Sequence, residues 1–116
     1  RKPVFEDPNG PRTVSCTYNG GLKRYLLTTQ HGKVGVRPGT GNLAVFDAPE
    51  PWGPWTTVAY ITGWKNGEGK EITGVISFYF APKWFSADGR TFTMVFTDAD
   101  RWGTVRGRFR LAGERR

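Results

Sequence analysis

One cysteine, one histidine and one methionine stand in a chain of 116 residues. The lone Cys16 excludes an internal disulfide and cannot build a zinc site, and its alternation with Val14 and Tyr18 predicts a small hydrophobe turned into the core. Any histidine chemistry must fall to His31. No apolar run approaches the ~18 residues that a membrane-crossing helix needs. Arg1-Lys2-Pro3 has no signal-peptide character, and because the numbering can begin inside a longer precursor this excludes no compartment. No segment long enough for a well-formed helix carries the 3.6 period, and the glycines follow no strand-to-helix unit, so a phosphate-binding glycine loop is excluded. Acidic residues are also few: 10 Asp and Glu stand against 17 Lys and Arg, a net charge of +7. That excess favours anionic partners, whether acidic polysaccharide, nucleic acid or a membrane surface, or else sits on solvated faces without a task.

What the chain has in quantity is turn formers and aromatics. Sixteen glycines, eight prolines and 15% aromatic residues describe an ordered, turn-rich β protein, of a length that makes one domain. Pro3-Val4-Phe5 reads as an edge strand before the turn cluster 6–11. Residues 13–18 alternate Val14, Cys16 and Tyr18 with Thr13, Ser15 and Thr17, the period of a half-buried strand. Asn19-Gly20-Gly21 then makes a hairpin with a strand at 22–29. A glycine-rich loop at 30–41 leads to a strand at 42–47. Phe46-Asp47-Ala48-Pro49-Glu50-Pro51-Trp52-Gly53-Pro54-Trp55 follows, a connector whose prolines exclude helix and central strand. Trp52 and Trp55 carry much apolar area, so both are expected packed in a stiff corner. A fourth strand spans 56–62.

A second unit begins after the polar loop 64–71. Ile76, Phe78 and Phe80 share one face of a strand at 73–80, Phe92, Met94 and Phe96 one face of 91–97, and Val105, Phe109 and Leu111 oppose Arg106, Arg108 and Arg110 at 103–111. Asp88-Gly89 is a strong turn signal. The expectation is all-β: antiparallel four-stranded meanders, about two β-propeller blades at 13–62 and 73–111, with a β-sandwich or small barrel as the alternative. Two blades cannot close a ring, so on the blade reading the chain is a fragment or subunit completed by further blades or by copies of itself.

Tyr18-Asn19-Gly20-Gly21-Leu22-Lys23-Arg24-Tyr25-Leu26-Leu27, the corner Ala48-Pro49-Glu50-Pro51-Trp52-Gly53-Pro54-Trp55 and Lys83-Trp84-Phe85-Ser86-Ala87-Asp88-Gly89-Arg90-Thr91-Phe92 carry a resemblance. Over about residues 3–111 the chain resembles the C-terminal blades of secreted, carbohydrate-active β-propellers of glycosidase and polysaccharide-lyase type. Ser86-Ala87-Asp88-Gly89-Arg90-Thr91-Phe92 is also similar to the Asp-box turn of sialidase-type propellers, with one residue missing between Asp and Gly; the resemblance implies a structural turn remote from any active site. It further implies secretion, a carbohydrate partner and, if the protein is an enzyme, a glycoside hydrolase or polysaccharide lyase.

In the resembled propellers the substrate lies at one mouth of a central funnel. On that rim stand the loop after the second strand and the loop joining the modules, which favours His31, Arg37, Glu68 and Glu71 over Asp47 and Glu50. His31 is the candidate catalytic base toward a sugar acid whose carboxylate Arg37 or Arg24 would hold, with Glu68 and Glu71 as further substrate-binding candidates. No spacing among the acids selects a carboxylate pair for glycoside cleavage. No cofactor is expected; Asp98-Ala99-Asp100 invites a structural calcium reading without the rest of a calcium-loop pattern, and otherwise reads as a solvated turn. Arg106, Arg108 and Arg110 form the sharpest basic stripe, and Trp64, Trp84 or Trp102 could stack bases, so a small basic domain that binds nucleic acid or protein without catalysis is the alternative function.

Overall fold

The computed structural model describes residues 11–31, 42–61, 65, 69, 78–98 and 101–111. The expected edge strand at 3–5, most of the glycine-rich loop and nearly all of 62–77 lie outside them. Four strands, β1 (Pro11–Asn19), β2 (Arg24–His31), β3 (Leu43–Ala48) and β4 (Thr56–Tyr60), pair antiparallel in chain order. Three more, β5 (Phe78–Phe80), β6 (Thr91–Asp98) and β7 (Arg101–Arg108), form a second antiparallel meander. The protein is therefore all-β, and among the described residues the strands form two sheets that do not close into a barrel. Among the described residues no helix is long and apolar enough to cross a membrane.

Over the described residues the period-two patterns of the second sheet are realised, while Ile76 lies outside them. Phe78, Phe80, Met94, Phe96 and Phe109 are buried, while Arg106, Arg108 and Arg110 are exposed on the other side. They meet Leu26, Leu43 and Val45 of the first sheet to make the main core. Its centre is aromatic: Phe80 lies 5.0 Å from Phe92, edge to face, and 5.6 Å from Phe109, the tilted geometry that ring quadrupoles favour. Gly107 is required here, because it pairs with Phe92 across the strands and a Cβ on it would collide with that ring. A buried hydrogen bond of 2.6 Å from the Thr28 hydroxyl to the Phe78 carbonyl ties the sheets together.

Two turns clasp each other at one end. The loop after β1 is longer than the Asn-Gly reading implied, with Gly20 to Lys23 between the paired Asn19 and Arg24. Asn19, fully buried, accepts from the Leu22 N–H through Oδ1 (3.2 Å) and donates through Nδ2 to the Gly89 carbonyl (2.8 Å). Gly89 has φ +75°, and a side chain on it would strike Asn19, while one on Gly21 would strike the backbone of Asp88 and Gly89. The second turn is held by its own polar residues. Ser86 Oγ donates to Asp88 Oδ1 (2.6 Å), which also accepts the Arg90 N–H (3.0 Å), and Ser86 Oγ accepts the Thr91 N–H (3.0 Å).

Two sequence readings are corrected. In β1, Val14, Cys16 and Tyr18 face outward and are exposed, with Val14 at 53% and Tyr18 at 48%, and it is Ser15 and Thr17 that pair with inward-facing Thr28 and Leu26. As the sheet's edge strand, β1 turns its inner face toward β5 and presents small hydroxyl side chains there. In the corner, Trp52 stands at the tip of a turn closed by the Gly53 N–H to Glu50 carbonyl bond (3.0 Å) and is 65% exposed. Trp55 alone is packed, over Leu27, Ala44 and Phe46 on the outer face of the first sheet.

β5 lies against β1 and β2, and a crevice of about 370 Å³ lies between the sheets beside β4 and the end of β7.

Candidate anion-binding groove

The pairing of β6 with β7 sets Thr91 opposite Arg108, Thr93 opposite Arg106 and Val95 opposite Thr104. Successive side chains alternate across a strand, so with Phe92, Met94 and Val105 on the core side these residues must emerge on the outer one. Arg106 and Arg108, two residues apart, stand ~6.6 Å from one another along β7. Hydroxyls from Thr91, Thr93 and Thr104 lie between and beside them.

The segment before β6 supplies the wall. Ala81 donates its N–H to the Thr93 carbonyl (3.1 Å) and Ser86 to the Thr91 carbonyl (3.1 Å), which straps residues 81–86 along the strand. Pro82 starts a single 3₁₀ turn, Pro82–Trp84, closed by the Trp84 N–H to Ala81 carbonyl bond (3.0 Å). That turn lifts Trp84 to the edge, 54% exposed. Trp84, Ser86, the threonines and both arginines line a groove of about 860 Å³.

Electrostatically the groove has Arg106 and Arg108 among its lining residues, and an acid, Asp88, is hydrogen-bonded to its Ser86. The Ser86 hydroxyl first, then the Arg90 N–H and the nearby Arg90 and Arg108 charges, hold the Asp88 carboxyl below its ordinary value, so it stays ionised. Such an arrangement can place guanidinium donors on carboxylate or sulfate groups, hydroxyls on neutral oxygens and an indole face under a ring. The described groove residues supply guanidinium, hydroxyl and indole groups, the chemistry of binding contacts.

Of the residues singled out for chemistry, only Arg24 is described with its side chain, and it does not line the groove. His31 ends β2, its backbone paired with Pro11, and its side chain lies outside the described part of the structure. Arg37, Glu68 and Glu71 also lie outside the described residues. Arg24 starts β2 and is taken up by Asp47, Nε to Oδ2 at 2.9 Å, while Thr56 donates its hydroxyl to the same carboxylate. Arg24 and His31 stand at opposite ends of one strand, about 23 Å apart at ~3.3 Å per residue, so they are not brought together around one sugar acid. Among the described residues no three His, Cys, Asp or Glu side chains lie where they could hold a metal ion; Asp100 of the calcium reading lies outside them. Sequence reasoning passed over Thr91, Thr93, Thr104 and Ser86. The signal for the first three was the alternation that placed Phe92 and Met94 inside.

Fold and groove together define a two-sheet, all-β module with a basic, tryptophan-edged surface on its three-stranded sheet. Comparison with protein-family models, with curated proteins and with solved structures finds no match.

Proposed function

We propose that this chain is a glycan-binding part of a secreted β-propeller-type protein, and that it holds an anionic polysaccharide in the Trp84–Arg106–Arg108 groove. One observation carries the reading: two guanidiniums, three threonine hydroxyls and an exposed indole line one cavity. An acidic sugar offers a carboxylate or sulfate for arginine, ring hydroxyls for threonine and a flat apolar face for tryptophan. The net charge of +7 adds attraction at longer range. The contact of β5 with β1 and β2 sets the first described strands of the two meanders beside each other, which is what the blade reading expects of inner strands. Further blades, or copies of this chain, would then flank it. Whether the parent protein also degrades its glycan rests with His31, Arg37, Glu68 and Glu71, which stay candidates for that step.

A glycan array carrying uronans, sulfated glycans and neutral polysaccharides, with single-stranded nucleic acid as a matched polyanion, tests the reading. Retention of a subset of acidic glycans at moderate salt is the expected result. Indiscriminate, steeply salt-sensitive retention of every polyanion would replace it with the nucleic-acid-binding alternative.

A further inference from the structure

We propose that the crevice between the two sheets beside β4 and the end of β7 binds a linear alkyl chain with an anionic head, a long-chain carboxylate. The crevice holds about 370 Å³, within the range of small-molecule sites. Its more exposed lining comes from Val58, Ala59 and Ile61 on the side of the four-stranded sheet and from Phe92 and Val105 on the other, with the core residues Val45 and Met94 at its floor. Apolar space of this size is poorly suited to water, which needs several polar partners, and apolar walls gain dispersion contacts when a chain fills it. The rim decides the head group. Arg106, Arg108 and Arg110 border the crevice and no carboxylate lines it among the described residues, so a carboxylate at the mouth meets charge of opposite sign while a cation is repelled. The walls offer few hydrogen-bond partners beyond those arginines, which disfavours a sugar here. The site is separate from the glycan groove, which lies on the other face of β6 and β7, although the edge position of β7 lets Arg106 and Arg108 border both.

Calorimetric titration of the whole chain with dodecanoate, below its micelle-forming concentration, tests this site. One dodecanoate should bind per chain, butanoate should give no measurable binding, and dodecyltrimethylammonium should bind at least about tenfold more weakly. Arg110→Glu, an exposed change that leaves the core intact, should weaken dodecanoate about tenfold, and Ala59→Phe, which fills the crevice, should abolish binding. Trp84→Ala should leave dodecanoate binding unchanged, which separates failure here from failure of the glycan reading. Equal uptake of the cationic amphiphile, or undiminished dodecanoate binding in Arg110→Glu, overturns the proposal. So does self-association that Ala59→Phe relieves in a chain that takes up no dodecanoate.

Discussion

Trp52 and Trp55 sit three positions apart in the same proline-rich corner and have different fates. Trp52, at a turn tip and mostly exposed, should tolerate alanine within about 0.5 kcal/mol. Trp55 covers Leu27, Ala44 and Phe46, so Trp55→Ala should destabilise by roughly 1–3 kcal/mol, less than a fully buried tryptophan because it is half-exposed. Urea midpoints of the two variants check the contrast. Composition marked both residues as too apolar for water, but burial depends on which side of the turn each falls, and that is fixed by the Glu50–Gly53 hydrogen bond and not by residue type. Asp88 gives a pH test. Its folded carboxyl titrates below the ordinary range, so its contribution to stability is present above about pH 4 and is lost as pH falls through the lower folded value. Subtracting the stability–pH profile of Asp88→Asn from that of the wild type should leave a difference that shrinks below about pH 4. A difference constant with pH would mean that the carboxylate charge is not what Ser86 and the Arg90 N–H hold.

The two meanders were legible as elements because their alternation is strong. β6 and β7 could be read for both faces, arginine stripe included, since Phe92, Met94 and Phe96 leave no doubt which side is inside. β1 could be read as a strand but not for its face: Val14, Cys16 and Tyr18 are the more apolar set, and only the packing of β5 against the strand's other side settles the matter. Cys16 should accordingly react with a maleimide in the folded protein, though more slowly than a simple thiol near pH 8, because partial burial raises its pKa and thins its thiolate. Labelling only in denaturant would put that face back inside. The clasp between the β1–β2 turn and the 86–89 turn was illegible, since each reads as an ordinary loop. Asn19→Ala should cost about 1–3 kcal/mol by leaving the buried Gly89 carbonyl and Leu22 N–H unpaired. Gly89→Ala should cost a similar amount through its positive φ and its collision with Asn19. The double variant should lose less stability than the two single losses added together, because removing Asn19 also removes one obstacle to the new methyl. Strict additivity would show that the turns do not meet.

For the whole molecule, the outer face of the three-stranded sheet carries the groove, and the crevice lies between the two sheets beside β4. The net charge of +7 favoured anionic partners and could not place a site for one, because the arginines of β7, the threonines of β6 and Trp84 of the 3₁₀ turn become one surface only when strand pairing aligns them. The most direct measurement of the central claim is titration of the chain with an oligogalacturonate and with its uncharged methyl ester at moderate salt, in the wild type, Trp84→Ala and Arg106→Glu/Arg108→Glu. The acid form should bind and its ester should bind at least about tenfold more weakly; Trp84→Ala should weaken the acid form about tenfold, and the double arginine change should abolish its binding. Equal affinity for acid and ester, or an acid affinity untouched by either variant, would contradict an acidic-glycan site in this groove.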